Sequence, residues 1–142
     1  MFFLYIWQIV GGGVREIDVP PPATTLVREQ VLERIERATG LVWSEDMVLT
    51  RLAGKEVIAE PAIITELAIK GIWDQGPFLD MIREHKFDLI VISSSDHFDR
   101  IIKLTAKRKV RFTPEVASAI ESSYPIVETI GNYRLYYPPL NN

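Results

Sequence analysis

Four carboxylates sit in short polar stretches that each follow an apolar run. They are Glu45 and Asp46 after Leu41–Val42–Trp43, Glu60 after Val57–Ile58–Ala59, and Asp96 after Phe87–Asp88–Leu89–Ile90–Val91–Ile92. With Ser44, Ser94 and His97 beside them, they have the oxygen donors to hold a hard divalent cation or to hydrogen-bond sugar hydroxyls. No other cofactor is expected. Helix capping by Ser44, Asp46, Glu60 and the serines of the third stretch accounts for the same residues without any ligand. A serine of Ser93–Ser94–Ser95 with His97 supplies a nucleophile and a base near in sequence. No Gly-x-Ser-x-Gly elbow surrounds them, and residues two to four apart on a loop need not face each other. Trp73–Asp74 pairs an aromatic face with an acid, which suits a sugar, although the plainer account is a loop tryptophan that plugs the sheet.

The elements that must position these residues follow from periodicity. Thr24 or Thr25 caps a helix running to about Ala38, with Val27, Val31 and Ile35 on one face and Gly40 ending it. Leu41–Val42–Trp43 reads as a short strand, and Ser44–Glu45–Asp46 opens a helix closed by Gly54. Glu56–Val57–Ile58–Ala59 reads as a second strand. Pro61 suits the first turn of a helix to Lys70 that Gly71 ends. Asp74–Gln75–Gly76–Pro77 is a turn before a helix from Phe78 to His85. Phe87 to Ile92 is nearly all apolar, as in a strand buried on both faces. Phe98, Ile101, Ile102 and Leu104 indicate a helix or an excursion. Thr113, Pro114 and Glu115 form a helix start, and that helix ends near Tyr124–Pro125. Two alternating runs, Ile126–Ile130 and Tyr133–Tyr137, flank Gly131–Asn132 as a type II′ hairpin.

This order predicts an α/β fold: a three-layer open, mostly parallel sheet with helices on both faces and a C-terminal antiparallel β-hairpin. In such sheets ligands bind beyond the carboxyl ends of the strands. The loops carrying Glu45, Glu60 and Asp96 therefore converge on one acidic mouth.

At 142 residues the chain can bury about two-thirds of its unfolded surface. Its 47% apolar and 25% charged content is that of a globular domain. A net charge of −3 with interspersed signs argues against nucleic acid as a partner. The one basic cluster, Lys103, Lys107, Arg108, Lys109 and Arg111, reads as a solvated helix end and strand start. His85, in a polar helix end, compensates the helix dipole. The absence of cysteine excludes disulfides, thiol catalysis and thiolate metal sites.

Phe2 to Val10 is apolar and precedes Gly11–Gly12–Gly13. It has about half of the ~20 residues that a membrane-spanning helix needs. A first strand, the stub of a transmembrane helix and an interfacial tether all fit it. Pro20–Pro21–Pro22 is a stiff breaker, so residues 1–22 form an apolar segment and linker and 23–142 the α/β domain.

The run of pieces from Val42 to Pro138 resembles a known family. Those pieces are Trp43–Ser44–Glu45–Asp46, Leu52–Ala53–Gly54–Lys55–Glu56–Val57, Glu60–Pro61, Gly71–Ile72–Trp73–Asp74, Phe87–Asp88–Leu89–Ile90–Val91, Arg111–Phe112–Thr113–Pro114–Glu115 and Gly131–Asn132–Tyr133. In order and spacing they resemble the extracytoplasmic C-terminal domain of GT-C-type membrane glycosyltransferases. These enzymes use polyprenyl-phosphate sugars and include relatives of the dolichyl-phosphate-mannose-protein mannosyltransferases. The resemblance implies a non-catalytic domain outside the membrane that helps position acceptor or donor. It also implies a transmembrane glycosyltransferase portion as partner and a saccharide or lipid-linked sugar as ligand. In that family the catalytic acid lies in the membrane part, so no catalytic residue carries over to this chain.

Two other readings stand beside it. One is a free-standing, cytoplasmic α/β enzyme or ligand-binding protein that uses the acidic mouth. The other is an interaction module that docks through Phe2–Val10.

Overall fold

The structure, a computed structural model, describes residues 22–93 and 111–140. Within them the elements run α1 (Pro22–Arg37), β1 (Leu41–Ser44), α2 (Met47–Leu52), α3 (Pro61–Ile69), α4 (Gly76–Arg83), β2 (Phe87–Ile92), α5 (Pro114–Ser123), β3 (Ile126–Ile130) and β4 (Tyr133–Tyr137). Phe2–Val10, Pro20, Pro21 and the expected excursion at 98–104 lie outside the described residues, whereas Pro22 is the first residue of α1.

The strands form one four-stranded sheet in the order β1-β2-β4-β3. The α/β class holds, but the expectation of a mostly parallel sheet does not. Only β1 and β2 are parallel, while β2–β4 and β3–β4 are antiparallel. The reason is that the hairpin inserts its second strand beside β2. That placement satisfies the β2 edge, which a further crossover strand would otherwise occupy. The expected strand at Glu56–Ala59 is also corrected, since residues 55–60 have no regular structure. Alternation of Val57 outward and Ile58 inward imitates a strand, but a strand needs a neighbour, and β1 pairs with β2 instead.

Local chemistry explains the elements that do form. Asp46 accepts from the Leu49 N–H at 3.2 Å, Glu60 from the Ile63 N–H at 2.6 Å, and Thr113 from the Val116 N–H at 3.2 Å, each at a helix start. Gly54 and Gly71 take positive φ just past α2 and α3, as a glycine stop requires. Gly40 serves differently. Its N–H donates to the Asp88 carboxylate, and a Cβ there would fall 2.6 Å from Asp88 Oδ1. It is a close-approach glycine rather than a left-handed cap.

Strand alternation gives each sheet face its own core. Val42, Leu89, Val91 and Leu135 meet Val31 and Ile35 of α1 and Leu49 of α2. Trp43, Ile90, Ile92 and Tyr136 meet Phe78 and Ile82 of α4 and Val116 and Ile120 of α5. Trp43 stands edge-on to Phe78 and Phe112, with ring centroids at 4.8 and 5.6 Å. Tyr124, fully buried just after α5, locks the start of β2. Its hydroxyl donates to Phe87 O at 3.1 Å and accepts from the Phe87 N–H at 3.2 Å.

The hairpin turn has positive φ at Gly131 and not at Asn132, the type II′ pattern, and Ile130 opposes Tyr133. A Cβ at Gly131 would also lie 2.7 Å from Val27 Cγ1 of α1. Gly131→Ala is therefore expected to destabilise the fold by about 2 kcal/mol, from backbone strain plus displacement of α1. Urea unfolding checks this. A loss under about 0.5 kcal/mol would show that α1 shifts freely.

Candidate functional site

The parallel pair β1–β2 ends in Ser44 and Ile92, and the two chain segments that leave it stay together. The Glu45 N–H donates to Val91 O at 2.9 Å, and the Glu45 side chain turns inward until it is 1% exposed. A carboxylate so buried needs strong partners. Its Oε2 accepts from the Ser93 N–H at 2.9 Å, and its Oε1 pairs with Arg111 Nη1. Arg111 is held from behind, because its carbonyl accepts from the buried Thr65 hydroxyl at 2.9 Å, while 48% of its own side chain faces solvent.

The neighbours are engaged in the same way. Ser44 Oγ accepts from the Asp46 N–H at 3.0 Å. Asp46, besides capping α2, accepts from the Tyr133 hydroxyl at 2.9 Å and lies 3.8 Å from Arg28. Burial first, then the hydrogen bond to Asp46, pushes the Tyr133 hydroxyl up to about 12. Asn132 Nδ2 donates to Ser93 O at 2.9 Å, which ties the hairpin turn to the same corner.

Glu45, Ser44 and Asp46 do gather at the strand ends, with Ser93 beside them. Glu60 caps α3 and joins no carboxylate cluster, and among the described residues no group of three or more His, Asp or Glu could hold a metal ion. Asp74 accepts from the Gly76 N–H at 2.9 Å and shapes the turn before α4. Trp73 packs partly buried against the core, 6.0 Å from Phe78, as a plug. Ser94, Asp96 and His97 lie outside the described residues, as do Lys103, Lys107, Arg108 and Lys109.

Arg111 was legible only as a solvated base. Its carboxylate partner is 66 residues away, and no local pattern announces such a pair. His85 lies exposed just past α4, at φ 55, with its ring edge-on to Tyr124 at 5.7 Å.

Chemically, this corner is a brace. The Glu45 and Asp46 carboxylates and the Ser44 and Tyr133 hydroxyls are all hydrogen-bonded, and no described buried side-chain polar atom lacks a partner.

A second polar cluster lies on the far edge strand of the sheet. Glu128 of β3 receives Arg34 Nη2 at 3.0 Å and the Tyr137 hydroxyl at 2.9 Å. The Arg34 hydrogen bond holds the Glu128 carboxyl below its ordinary 4.5. Its contribution to stability is therefore complete above that value and lost as pH falls through the lower folded one. The pair is about a third exposed, so solvent screening keeps the loss small.

Tyr124, Tyr133 and Tyr137 behave oppositely. Burial first pushes each from 10.0 up to about 12, so their contributions are complete below pH 10.0 and fade as pH rises toward 12. Urea midpoints followed against pH are expected to fall on both sides. Glu128→Gln should flatten part of the acid limb, and Tyr137→Phe part of the alkaline limb. Limbs unchanged by these variants would remove both groups from the account.

Among the described residues, grooves lie away from the strand-end corner. One of about 480 Å3 runs beside the end of α1 and the start of β2, and one of about 580 Å3 lies along Arg51, Lys55 and Val57. No helix among the described residues is long and apolar enough to cross a membrane. The chain matches no protein-family model, no curated protein and no solved structure.

Proposed function

We propose that this chain is a non-catalytic domain that works outside the membrane beside a GT-C-type glycosyltransferase portion, helping to hold the acceptor or the polyprenyl-linked sugar donor. The observation that carries this reading is the saturated strand-end corner. Glu45, Asp46 and Ser44 sit where an α/β enzyme would place its chemistry; Glu45 and Asp46 tie distant segments together, and Ser44 bonds the turn into α2. A domain built this way presents a rigid surface to a ligand or partner and leaves bond making to another part. The order of pieces from Trp43 to Tyr136 supports the family side of the reading. In it, the two helix sets are the outer layers of a three-layer unit, with the sheet between them.

The test is an epitope tag placed after Asn142 at the native locus. The expected result is a tag that sediments with membranes, is cleaved by protease added from the extracytoplasmic side, and belongs to or co-purifies with a polytopic protein. The purified chain, given a polyprenyl-phosphate sugar and acceptor, should transfer nothing. A tag confined to the cytosol, or sugar transfer by the chain alone, would overturn the proposal.

A further inference from the structure

We propose that the groove of about 480 Å3 at the end of the sheet opposite the brace is a binding site for a neutral saccharide ring. It lies where β1 and β2 begin and β4 ends, and its volume is within the usual range for a small-ligand site. Tyr137, Pro138 and Pro139 supply stiff rings along one side, and Tyr137 is fixed because its hydroxyl is bonded to Glu128 at 2.9 Å. Sugars place their C–H faces against such surfaces.

The polar side offers both donors and acceptors. Arg37 bonds Glu33 through Nη2 while its side chain remains 70% exposed. Asp88 uses Oδ2 to accept from the Thr39 hydroxyl at 2.9 Å and from the Gly40 N–H. These contacts fix the carboxylate in place, so it meets a ligand already oriented. The close approach of Gly40 to Asp88 is thereby given a use: no larger residue leaves the carboxylate where it stands.

Charge decides the ligand class. Arg34 is paired with Glu128 and Arg37 with Glu33, and Asp88 adds a further negative charge. A phosphate would compete with the carboxylates that already pair both arginines and would be repelled by Asp88, whereas uncharged hydroxyls can bond to both kinds of group.

The site goes beyond the proposed function in naming a location, and the two can fail separately. A cytosolic tag would sink the glycosyltransferase reading and leave the groove standing. An empty groove in a membrane-bound protein would do the reverse.

The experiment is a titration of the isotope-labelled full chain with the methyl glycosides of glucose, mannose and galactose, followed by amide resonances. At least one glycoside is expected to shift Ala38, Thr39, Asp88 and Leu140 saturably. Arg37→Ala should weaken that binding about tenfold without moving resonances elsewhere. Glucose 1-phosphate should bind no more tightly than methyl glucoside. Any one of four results overturns the proposal: no saturable shift with the three glycosides, shifts centred on Ser93 and Arg111, an affinity indifferent to Arg37, or a clear preference for the phosphate.

Discussion

Replacing Trp43 with alanine is expected to lower the free energy of unfolding by about 4 kcal/mol. Trp43 is 1% exposed at the middle of the larger core and lies edge-on to both Phe78 and Phe112. Removing it opens a cavity between β1, α4 and the start of α5. The surrounding aromatics are themselves wedged, so collapse into that space is incomplete. Its indole N–H also donates to Ala59 O at 3.1 Å, which fastens the irregular segment after α2 to the sheet. A domain of this size has only about 5–15 kcal/mol of net stability, so the variant stands near the edge of folding. Trp43→Phe keeps most of the burial but leaves Ala59 without its donor, and about 2 kcal/mol is expected for it. Urea unfolding followed by far-ultraviolet circular dichroism measures both. If the two variants cost the same, the cavity argument fails and the Ala59 hydrogen bond becomes the dominant contact.

The second large effect is at the brace. Glu45→Ala removes the acceptor of the Ser93 N–H and the partner of Arg111 together, and a loss of about 3 kcal/mol is expected. Glu45→Gln can still accept from the Ser93 N–H, and should cost about half as much. Arg111→Met is expected to cost about 3 kcal/mol for a different reason, because it leaves a buried carboxylate without its counter-charge. The double variant should then be less destabilised than the sum of the singles by about 1–3 kcal/mol. Additivity within about 0.5 kcal/mol would mean that the two side chains do not act as a pair. Amide exchange at Ser93 gives a local check, since it should quicken in Glu45→Ala before global unfolding.

What local sequence could reveal here followed from interactions that close within a few residues. The Thr113–Val116 cap, the Glu60–Ile63 cap, the glycine stops at Gly54 and Gly71 and the two-residue turn at Gly131–Asn132 are such interactions, and each stands where its residues indicate. The β2 run is buried along nearly its whole length because an apolar strand of that kind has polar alternatives on neither face. The Glu56–Ala59 segment imitates a strand locally, yet no strand lies beside it to complete the ladder.

The chain's own residue order therefore determined the class of fold, the positions of most helices and strands, and the group of Ser44, Glu45 and Asp46 at the end of β1. Tertiary structure alone decided that the sheet is mixed, that Glu45 belongs to Arg111, that Asp88 reaches back to Thr39 and Gly40, and that a groove opens between α1 and the tail of β4. The physical reason is range. Caps, turns and amphipathic faces are satisfied within one or two turns of chain, so residue type and spacing reveal them. Strand order and charge pairing are settled between distant segments: Thr39 and Asp88 are 49 residues apart, Glu45 and Arg111 are 66, and Arg34 and Glu128 are 94. There the free energy depends on which surfaces meet, and no local pattern records that meeting.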